Sequence, residues 1–440
     1  MFEYVKLKNF KSFENIELDL TDRNNNPKKL ILIYGENGIG KSNLASAFFM
    51  LSETLRTMDV RDLMESLLSE ESEKIRNNEE LKRLFKMRYK DIETLIKENK
   101  TVASDGPMYM EFGFCLAGKS GKYIIEMNDS QIIHEYLDYT LKQRRGTYFD
   151  ITPDKVYISA KIFRDRTSYL TIKKSCTQFW GKHSLLSILL HESDDKADQY
   201  IKEQIEDNFT KILSFLSRIS CKIKFGSRQE RGIIGLPPEI FGEYENGYVD
   251  KEDETLLDKT EDMLNTFFRA TYRDIIRAYY KRSLEDEKIH YQLVITKKIS
   301  CKERDIDFSL ESTGTQALIQ QLPFMLVTVK GAVAIIDEFD TGIHDLLVKS
   351  LVTSLYECME GQLILTTHNT LLMESEIPKE CIYVINETES GYKEIQCILH
   401  YNNKIGEKNN LRKQYLLGKY SGIPEETTID FKLLLKKLSA

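Results

Sequence analysis

Short apolar runs without alternation occur near both ends of the chain, and they set the first expectation about its fold. The runs are Leu30–Tyr34, Ala332–Ile336 and Gly361–Thr366. Continuous apolar runs of about five residues are typical of parallel strands that are buried on both faces. Together with helical spacing from Phe308 onward, this pattern predicts an α/β fold.

Other segments show the alternation of half-buried strands or the spacing of amphipathic helices. Phe2–Leu20 is expected to form two strands, because Ile16, Leu18 and Leu20 alternate cleanly with polar residues. Further strands are expected at Tyr109–Met127 (a hairpin), Lys155–Ile162, Ile289–Ile299, and Cys381–Ile385 with Lys393–Leu399 (a second hairpin). Helices are expected at Ser52–Asn99, His183–Arg218 and Leu256–Ser283, and a long loop or lid at Gly226–Glu254.

Length and composition narrow the class of protein. The chain has 440 residues, of which 41% are hydrophobic and 30% are charged, as expected for a globular protein of two or three units. We expect no membrane span and no secretory signal, because charged residues interrupt every apolar stretch. The seven cysteines lie far apart, which favours a reduced, cytoplasmic protein. A net charge of −7 argues against a uniformly basic nucleic-acid surface but leaves room for a local basic patch.

One motif carries specific chemistry. The segment Gly35–Ser42 fits the pattern GxxxxGK[ST], in which a glycine-rich loop precedes a lysine and a hydroxyl residue. The buried strand Leu30–Tyr34 precedes it, and Asn43–Leu55 follows with helical spacing. This order of strand, loop and helix predicts a phosphate-binding loop, while the alternative is a tight turn with an incidental lysine.

The chemistry of this motif explains its composition. Backbone N–H groups can converge on a phosphate only where no Cβ intrudes, which accounts for Gly35, Gly38 and Gly40. The following helix directs its positive end at the same anion. Lys41 would add a charge near the β- and γ-phosphates, and the Ser42 hydroxyl would bind Mg²⁺. We therefore expect ATP and Mg²⁺ as ligands.

Polar residues at three further places point to the same edge of the sheet. The strand Gly331–Ile336 ends in Asp337 and Glu338, an acid pair suited to Mg²⁺ and to activation of a water molecule. His368 follows the next apolar strand and is expected at the same carboxyl edge, where ligands bind in open α/β sheets. Ser312–Thr315 open a predicted helix, where N–H groups favour anions.

This set of motifs, in this order, resembles ABC-type ATPases. The sequence ESTGTQ (Glu311–Gln316) differs from the LSGGQ signature of transporters and is similar to the ESxGT form of small bacterial ABC-type ATPases from defence and abortive-infection systems. DEFDTGIH (Asp337–His344), TTHN (Thr366–Asn369) and the tail Asn409–Pro424 fit the same group. The opening Leu7–Leu20 is similar to that of the same group and to those of SMC and OLD-type ATPases.

The resemblance covers about residues 1–50 and 300–425, and it implies a division of the chain. Residues 1–50 would form the N-terminal part of an ABC-type P-loop ATPase head, and 300–440 its C-terminal part. Residues 51–299 would be a mainly helical insertion with a β-subdomain.

The resemblance also implies roles for individual residues. ATP would be bound by Gly35, Glu36, Asn37, Gly38, Ile39, Gly40, Lys41, Ser42 and Asn43. Mg²⁺ would be held by Ser42 and Asp337, while Glu338 would be the catalytic base, His368 the sensor of the γ-phosphate and Lys41 a further catalytic group.

Ser312, Thr313 and Gly314 would contact the nucleotide of another subunit, and Asp340–His344 would meet that subunit's phosphate loop. Lys11 and Ser12 would lie near the nucleotide. Gln131 is one candidate for the glutamine that usually links the γ-phosphate to Mg²⁺, and we leave that residue unassigned.

Such an arrangement implies a homodimer or higher homo-oligomer in which ATP is sandwiched between heads.

Three classes of function fit the motifs. The first is a sensor or scaffold of an anti-phage system, controlling a separately encoded nuclease or toxin as in PARIS-type systems, with DNA or a phage protein as the trigger. The second is an SMC-like DNA repair ATPase using the basic stretches Leu81–Lys90 and Lys142–Gly146. The third is the engine of a transporter, which the altered signature and the large insertion disfavour.

Overall fold

The computed structural model describes residues 1–68, 90–141, 144–194, 203–225, 229–233, 235, 242–285, 287–401, 410–424 and 428–438. The strands within these residues are, in chain order, β1 (Phe2–Phe10), β2 (Phe13–Asp19), β3 (Leu30–Tyr34), β4 (Met108–Leu116), β5 (Lys119–Met127), β6 (Ile132–Leu141), β7 (Arg144–Thr152), β8 (Lys155–Ile158), β9 (Ile219–Phe225), β10 (Gln229–Ile233), β11 (Asn246–Asp250), β12 (Ile275–Glu285), β13 (Lys288–Ile299), β14 (Lys302–Asp307), β15 (Val333–Ile336), β16 (Gln362–Thr366), β17 (Ile382–Glu387) and β18 (Lys393–Cys397).

The helices of the same residues are, in chain order, α1 (Lys41–Thr54), α2 (Thr57–Leu68), α3 (Ile92–Asn99), α4 (Arg166–Phe179), α5 (Leu185–Asp194), α6 (Asp207–Ser217), α7 (Glu254–Thr271), α8 (Thr313–Val329), α9 (Asp345–Cys358), α10 (Leu411–Leu416) and α11 (Phe431–Leu438). None of the described helices is both long enough and apolar enough to cross a membrane.

A mostly parallel sheet carries the predicted motifs. Its strand order is β10-β9-β15-β16-β3-β17-β18, with parallel pairing from β9 through β17 and an antiparallel strand at each edge. Every residue of β3, β15 and β16 is buried, as expected for parallel strands covered on both faces. The carboxyl ends of these strands meet at one edge, so the loops that follow them lie together.

Alternate side chains of the parallel sheet enter two separate hydrophobic cores. Ile31 and Ile33 of β3 belong to one core, and Leu30, Leu32 and Tyr34 belong to the other. The first core is covered by α1 and by the antiparallel sheet, and the second by α8 and α9. The phosphate-loop strand is therefore held from both sides.

A second, antiparallel sheet of order β2-β1-β4-β5-β6-β7-β8 packs over α1. The fully buried side chain of Gln362 joins the two sheets. Its Oε1 accepts a hydrogen bond from the backbone N–H of Phe2 (2.8 Å), and its Nε2 donates to the carbonyl oxygens of Phe2 and Lys28 (both 2.9 Å). A smaller sheet, β11-β13-β12 with β14 on β13, lies beside α7 and the second core.

The α/β class is confirmed, as are the strands predicted at both ends of the chain and the two hairpins. The segment 51–299 contains more strand than expected, since its described residues include β4–β13 beside α2–α7. The reason is pairing with the N-terminal strand: Val5 of β1 lies opposite Phe112 of β4, and β5–β8 extend the sheet from there. The part of the helix expected at Ser52–Asn99 that falls on residues 69–89 lies outside the described residues.

Two expected elements differ in the structure. The helix expected at Leu256–Ser283 ends at Thr271, and Ile275–Glu285 forms β12. Ala278 and Tyr280 of β12 are buried opposite Ile295 and Leu293 of β13, so cross-strand pairing overrides the helical spacing. The long loop expected at Gly226–Glu254 contains β10 and β11 among its described residues.

Candidate functional site

The loop between β3 and α1 has the conformation that its glycines allow. Gly35, Gly38 and Gly40 have φ angles of 154°, 80° and 121°. A Cβ on Gly35 would lie 2.8 Å from the carbonyl oxygen of Ile385, and one on Gly40 would lie 2.9 Å from the ring of Phe13. Larger residues would therefore displace the loop, which explains the glycines in physical terms.

The loop is folded around Lys41. The Lys41 ammonium is buried and donates hydrogen bonds to the carbonyl oxygens of Gly35 and Glu36, both at 2.8 Å. Burial lowers the pKa of Lys41, although the negative charges of Asp337 and Glu338 oppose this shift. A lysine in this position can exchange carbonyl partners for phosphate oxygens without a large movement.

The rest of the loop is open on its outer side. Asn37 and Gly38 are exposed, and Glu36, Ile39 and Asn43 are half-buried. The backbone and side chains of these five residues therefore offer a surface that a triphosphate can reach.

Lys11 and Ser12, from the turn between β1 and β2, lie beside this loop. The amide of Asn43 donates to Ser12 Oγ at 2.6 Å, and Lys11 Nζ donates to Ser46 Oγ on α1 at 3.0 Å. Burial lowers the pKa of Lys11 to about 8, while the charge of Asp337 opposes the shift. The structure thus brings this second lysine to the phosphate loop and the acid pair.

Asp337, directly after β15, is buried with its carboxylate next to two hydroxyl groups. Thr366 Oγ1 donates to Asp337 Oδ1 at 2.6 Å. Burial raises the pKa of Asp337, and hydrogen bonds from the hydroxyls of Thr366 and Ser42 oppose this shift. Asp337 Oδ2 is buried and has no well-aligned hydrogen-bond partner among the described residues. A free carboxylate oxygen beside Ser42 is the hard oxygen donor set that Mg²⁺ prefers, so these residues fit the ion.

Glu338 has an unusual backbone and two side-chain partners. Its φ angle is 50°, and its N–H donates to Thr366 Oγ1 at 2.7 Å. Its Oε2 accepts hydrogen bonds from Lys224 Nζ at 2.9 Å and from Thr341 Oγ1 at 3.2 Å. Burial would raise the pKa of Glu338, but the hydrogen bond and charge of Lys224 outweigh burial and lower it. Glu338 is therefore held in its ionised form.

His368 lies two residues after the end of β16, at the same edge of the sheet. Its backbone N–H donates to Asp340 Oδ2 at 3.0 Å, which ties this loop to the segment after Glu338. Partial burial and the positive charge of Lys41 lower the pKa of His368, while Asp340, Glu338 and Asp337 oppose the shift. The structure thus brings together the predicted residues of the phosphate loop, the acid pair and the histidine. They are close enough for the charge of one to shift the pKa of another.

The predicted signature residues form the start of α8. Ser312 is the N-cap, with its Oγ accepting from the N–H of Thr315 at 3.2 Å. Ser312 and Thr313 are exposed, and Gly314 packs against the backbone of Gly342 in the loop after Glu338. These residues therefore lie at the surface of the subunit.

Lys224 and the C-terminal tail are contacts of this site that sequence analysis did not predict. Lys224 lies on β9, where Ile219, Cys221 and Ile223 are buried. The alternation of apolar and polar residues in ISCKIKF is a local strand signal, which begins just after the predicted helix His183–Arg218.

The tail, residues 411–423, packs behind the phosphate loop. The ring of Tyr415 lies edge-on to Tyr34, with centroids 5.7 Å apart, and its hydroxyl donates to the carbonyl oxygen of Gly422 at 2.8 Å. Arg412 Nε donates to Thr370 Oγ1 at 2.9 Å in the segment after His368. The tail therefore contacts both the phosphate-loop strand and the histidine loop.

Two of the three described charged groups of the two basic stretches are paired, while Arg144 is exposed. Lys90 is buried and forms an ion pair with Glu98, and Arg145 pairs with Asp138 at 2.8 Å. The remaining residues of Leu81–Lys90, and Lys142 and Gln143, lie outside the described residues. Gln131 lies in the turn between β5 and β6, beside Gly181.

Comparison with family models gives one match. Residues 300–374 match the family described as AAA domain, putative AbiEii toxin, Type IV TA system. This segment contains the start of α8, the acid pair and His368. A comparison with curated proteins finds no match.

Solved structures with a similar arrangement include heads of SMC proteins. The SMC head domain from Thermotoga maritima is 15% identical, with a TM-score of 0.38 over 90% of this chain and 98% of that chain. An Smc head bound to the C-terminal winged-helix domain of ScpA is 14% identical, with a TM-score of 0.44 over 90% and 97%. An Smc head with an extended coiled coil from Pyrococcus furiosus, bound to the C-terminal domain of ScpA, is 14% identical, with a TM-score of 0.35 over 90% and 95%.

Proposed function

We propose that this protein is an ABC-type P-loop ATPase that binds ATP with Mg²⁺ between two copies of the chain and hydrolyses it. The observation that carries the proposal is the meeting of Lys41, Asp337, Glu338 and His368 at one edge of a parallel sheet, where each affects the pKa of another. Lysine, paired acids and histidine around a glycine loop are suited to phosphoryl transfer to water.

Each residue has a role that follows from its position. Lys41 and the N–H groups of Gly35–Ser42 bind the β- and γ-phosphates, and Ser42 and Asp337 hold the metal ion. Mg²⁺, when bound, neutralises charge on the β- and γ-phosphates. Glu338 accepts the proton of the attacking water as an oxygen–phosphorus bond forms and the bond to the leaving diphosphate breaks. His368 donates a hydrogen bond to the γ-phosphate.

The second half of the site comes from another copy of the chain. Ser312 and Thr313 are exposed at a helix N-terminus, which favours binding of an anion from outside the subunit. The loop Asp340–His344 connects this helix start to the acid pair through Gly342 and to His368 through Asp340. ATP bound between two heads therefore holds the dimer together, and hydrolysis releases it.

The cellular role we propose is that of a cytoplasmic sensor or scaffold in an anti-phage, abortive-infection system. The description of the matched family, which names a putative AbiEii toxin and a type IV TA system, supports this class. The signature form ESTGTQ and the tail support the same choice. The effector is a separately encoded nuclease or toxin, and the trigger is DNA or a phage protein. For the alternative, an SMC-like repair ATPase, the pairing of Lys90 and Arg145 with acids reduces the basic surface available to DNA.

Sizing of variants with and without nucleotide tests the ATPase cycle. Glu338→Gln should retain ATP and accumulate dimers or larger assemblies in ATP and Mg²⁺, because proton acceptance is lost while phosphate binding remains. Lys41→Ala should lose nucleotide affinity and remain unassembled under the same conditions. A Glu338→Gln protein that binds ATP and stays monomeric would contradict the proposal of shared sites.

A tagged purification tests the cellular role. We expect a second polypeptide, a nuclease or toxin encoded beside this protein, to purify with the wild-type chain and to be released or activated when the trigger is present. DNA-stimulated ATP hydrolysis with a steep dependence on salt, and no co-purifying effector, would instead support the repair ATPase.

A further inference from the structure

Lys224 makes two contacts with the acid pair. Its Nζ lies 2.9 Å from Glu338 Oε2, and its backbone N–H lies near the carboxylate of Asp337 and acts to lower the pKa of that group. β9 is able to do this because it pairs in parallel with β15, with Lys222 opposite Ile336, and continues beyond the last residue of β15. The N–H of Asp337 donates a hydrogen bond to the carbonyl oxygen of Lys222 at 2.8 Å. Pairing with β9 therefore fixes the backbone position of Asp337, the first residue of the acid pair.

The two donors to Glu338 act on the same oxygen. Lys224 Nζ and Thr341 Oγ1 both contact Oε2, while Oε1 has no hydrogen-bond partner among the described residues. The backbone of Glu338 is also constrained, with a φ angle of 50° and its N–H bonded to Thr366. The rotation of the Glu338 carboxylate is therefore restricted, with Oε2 hydrogen-bonded and Oε1 available to accept a hydrogen bond.

A general base acts efficiently only when its accepting oxygen is aimed at the proton it removes. We propose that Lys224 is the positioning residue of this site: it binds Glu338 Oε2 so that Oε1 faces the water that attacks ATP. This inference rests on the proposed ATPase function and extends it to a residue outside the phosphate loop, the acid pair, the signature helix and the histidine loop. Lys224 acts through Glu338 and makes no contact with the nucleotide.

The test compares turnover with nucleotide affinity in three variants. Lys224→Met keeps an unbranched side chain of similar length but removes the hydrogen-bond donor and the charge. We expect kcat to fall about 10- to 100-fold, while the Kd for a non-hydrolysable ATP analogue changes less than about twofold. Lys224→Arg retains a donor and should recover most of the kcat. Lys6→Met is the matched control, because Lys6 forms an ion pair of similar length with Glu17 (3.0 Å) and similar partial exposure on β1, away from the site. It should leave both constants unchanged.

Three results would overturn the proposal. An unchanged kcat in Lys224→Met would show that Glu338 needs no positioning, and an increased kcat would show that the ion pair is inhibitory. A Kd raised about tenfold with kcat unchanged would make Lys224 a phosphate-binding residue instead. If Lys224→Met is not soluble, Lys224→Gln takes its place and is compared with Lys224→Arg.

A second measurement needs neither nucleotide nor activity. In the ATP-free, Mg²⁺-free protein, thermal midpoints of Lys224→Met, Glu338→Gln and the double variant form a cycle that isolates the pairing. We expect the second substitution to change the midpoint less than it does alone, and additive changes would overturn the pairing itself. A wild-type protein that hydrolyses no more ATP than Lys41→Ala would refute the ATPase function, whereas the cycle would still report on Lys224 and Glu338.

Discussion

Gly314, in the first turn of α8, lies directly against Gly342, in the loop that follows the acid pair. A Cβ atom at position 314 would be 2.2 Å from the carbonyl oxygen of Gly342. The start of the signature helix and the loop predicted to meet a partner therefore form one packed unit. Any side chain at position 314 must separate them.

This contact predicts that Gly314→Ala weakens ATP-dependent dimerisation. Overpacking of this kind costs about 1–3 kcal/mol, so we expect ATP-dependent dimerisation to weaken about tenfold or more. ATP binding by the monomer should remain, because the phosphate loop is untouched. Analytical ultracentrifugation with ATP and Mg²⁺ measures the first property, and a fluorescent nucleotide the second.

Gly106→Ala is the control for this substitution, since the added Cβ would meet only the side-chain amide of Asn9. Equal dimerisation of Gly314→Ala and the wild-type protein would show that the packed unit of Gly314 and Gly342 has no part in assembly.

The tail behind the phosphate loop predicts an effect on ATP affinity. A Cβ at Gly422 would lie 2.4 Å from Val384 Cγ1 and 3.5 Å from the Cα of Gly35. Gly422→Ala should therefore displace the loop and raise the Kd for ATP about tenfold, a loss of about 1.4 kcal/mol. Isothermal titration with an ATP analogue measures the change.

The tail offers its own control. Gly418 also has a positive φ, 76°, but a Cβ there would make only an ordinary 3.6 Å contact with Ile423. Gly418→Ala should share the backbone strain and keep the affinity. Were both variants to bind ATP like the wild type, the tail would serve stability alone.

Replacement of Gln362 is expected to cause a large loss of stability. Gln362→Leu leaves the N–H and carbonyl of Phe2 and the carbonyl of Lys28 without their buried partner. Unsatisfied buried groups cost about 1–3 kcal/mol each, so we expect the free energy of unfolding to fall by about 3 kcal/mol or more. Urea denaturation measures it. Gln396→Leu on β18, a half-buried position, is the control and should change stability by less than about 1 kcal/mol.

Glu135 predicts a dependence of stability on pH. This fully buried carboxyl accepts hydrogen bonds from Tyr123, Trp180 and the N–H of Leu185, and burial raises its pKa to about 7. The native state therefore keeps a proton that the unfolded chain loses near pH 4.5, and this contribution to stability is lost as the pH rises toward 7. The protein should be less stable at pH 8 than at pH 5.

Glu135→Gln removes the titrating group while keeping its size, so the decrease between pH 5 and pH 8 should become smaller. Denaturation midpoints of both proteins at the two pH values provide the measurement. A variant with the same pH dependence as the wild type would assign the effect to other groups.

The parts of the fold that sequence predicted are those whose signal is local. β3 and β15 are continuous apolar runs, and the phosphate loop, Asp337–Glu338 and His368 each follow such a run. Strands buried on both faces have no polar alternation to obscure them, and a loop at the end of a buried strand must lie at the sheet edge. The structure brings these loops together at one edge of the sheet, while the site and the roles of its residues stay predictions.

The parts that sequence did not predict depend on partners distant in the chain. The segment after Thr271 has helical spacing, and only pairing with β13 makes it a strand. Glu135 is a carboxyl group within β6 whose partners lie about 50 residues later, with Trp180 just after α4 and Leu185 at the start of α5. Lys224 reaches Glu338 only because β9 pairs with β15, and no local pattern reports that pairing.

The position of β3 between β16 and β17 has a consequence for biosynthesis. One neighbour of this strand begins at Gln362 and the other ends at Glu387, more than 300 residues after Tyr34. A ribosome has thus made most of the polypeptide before the glycine loop acquires its final surroundings. Nascent or prematurely terminated chains that lack β16 and β17 cannot complete the sheet around this loop, so we expect them to lack the proposed nucleotide site.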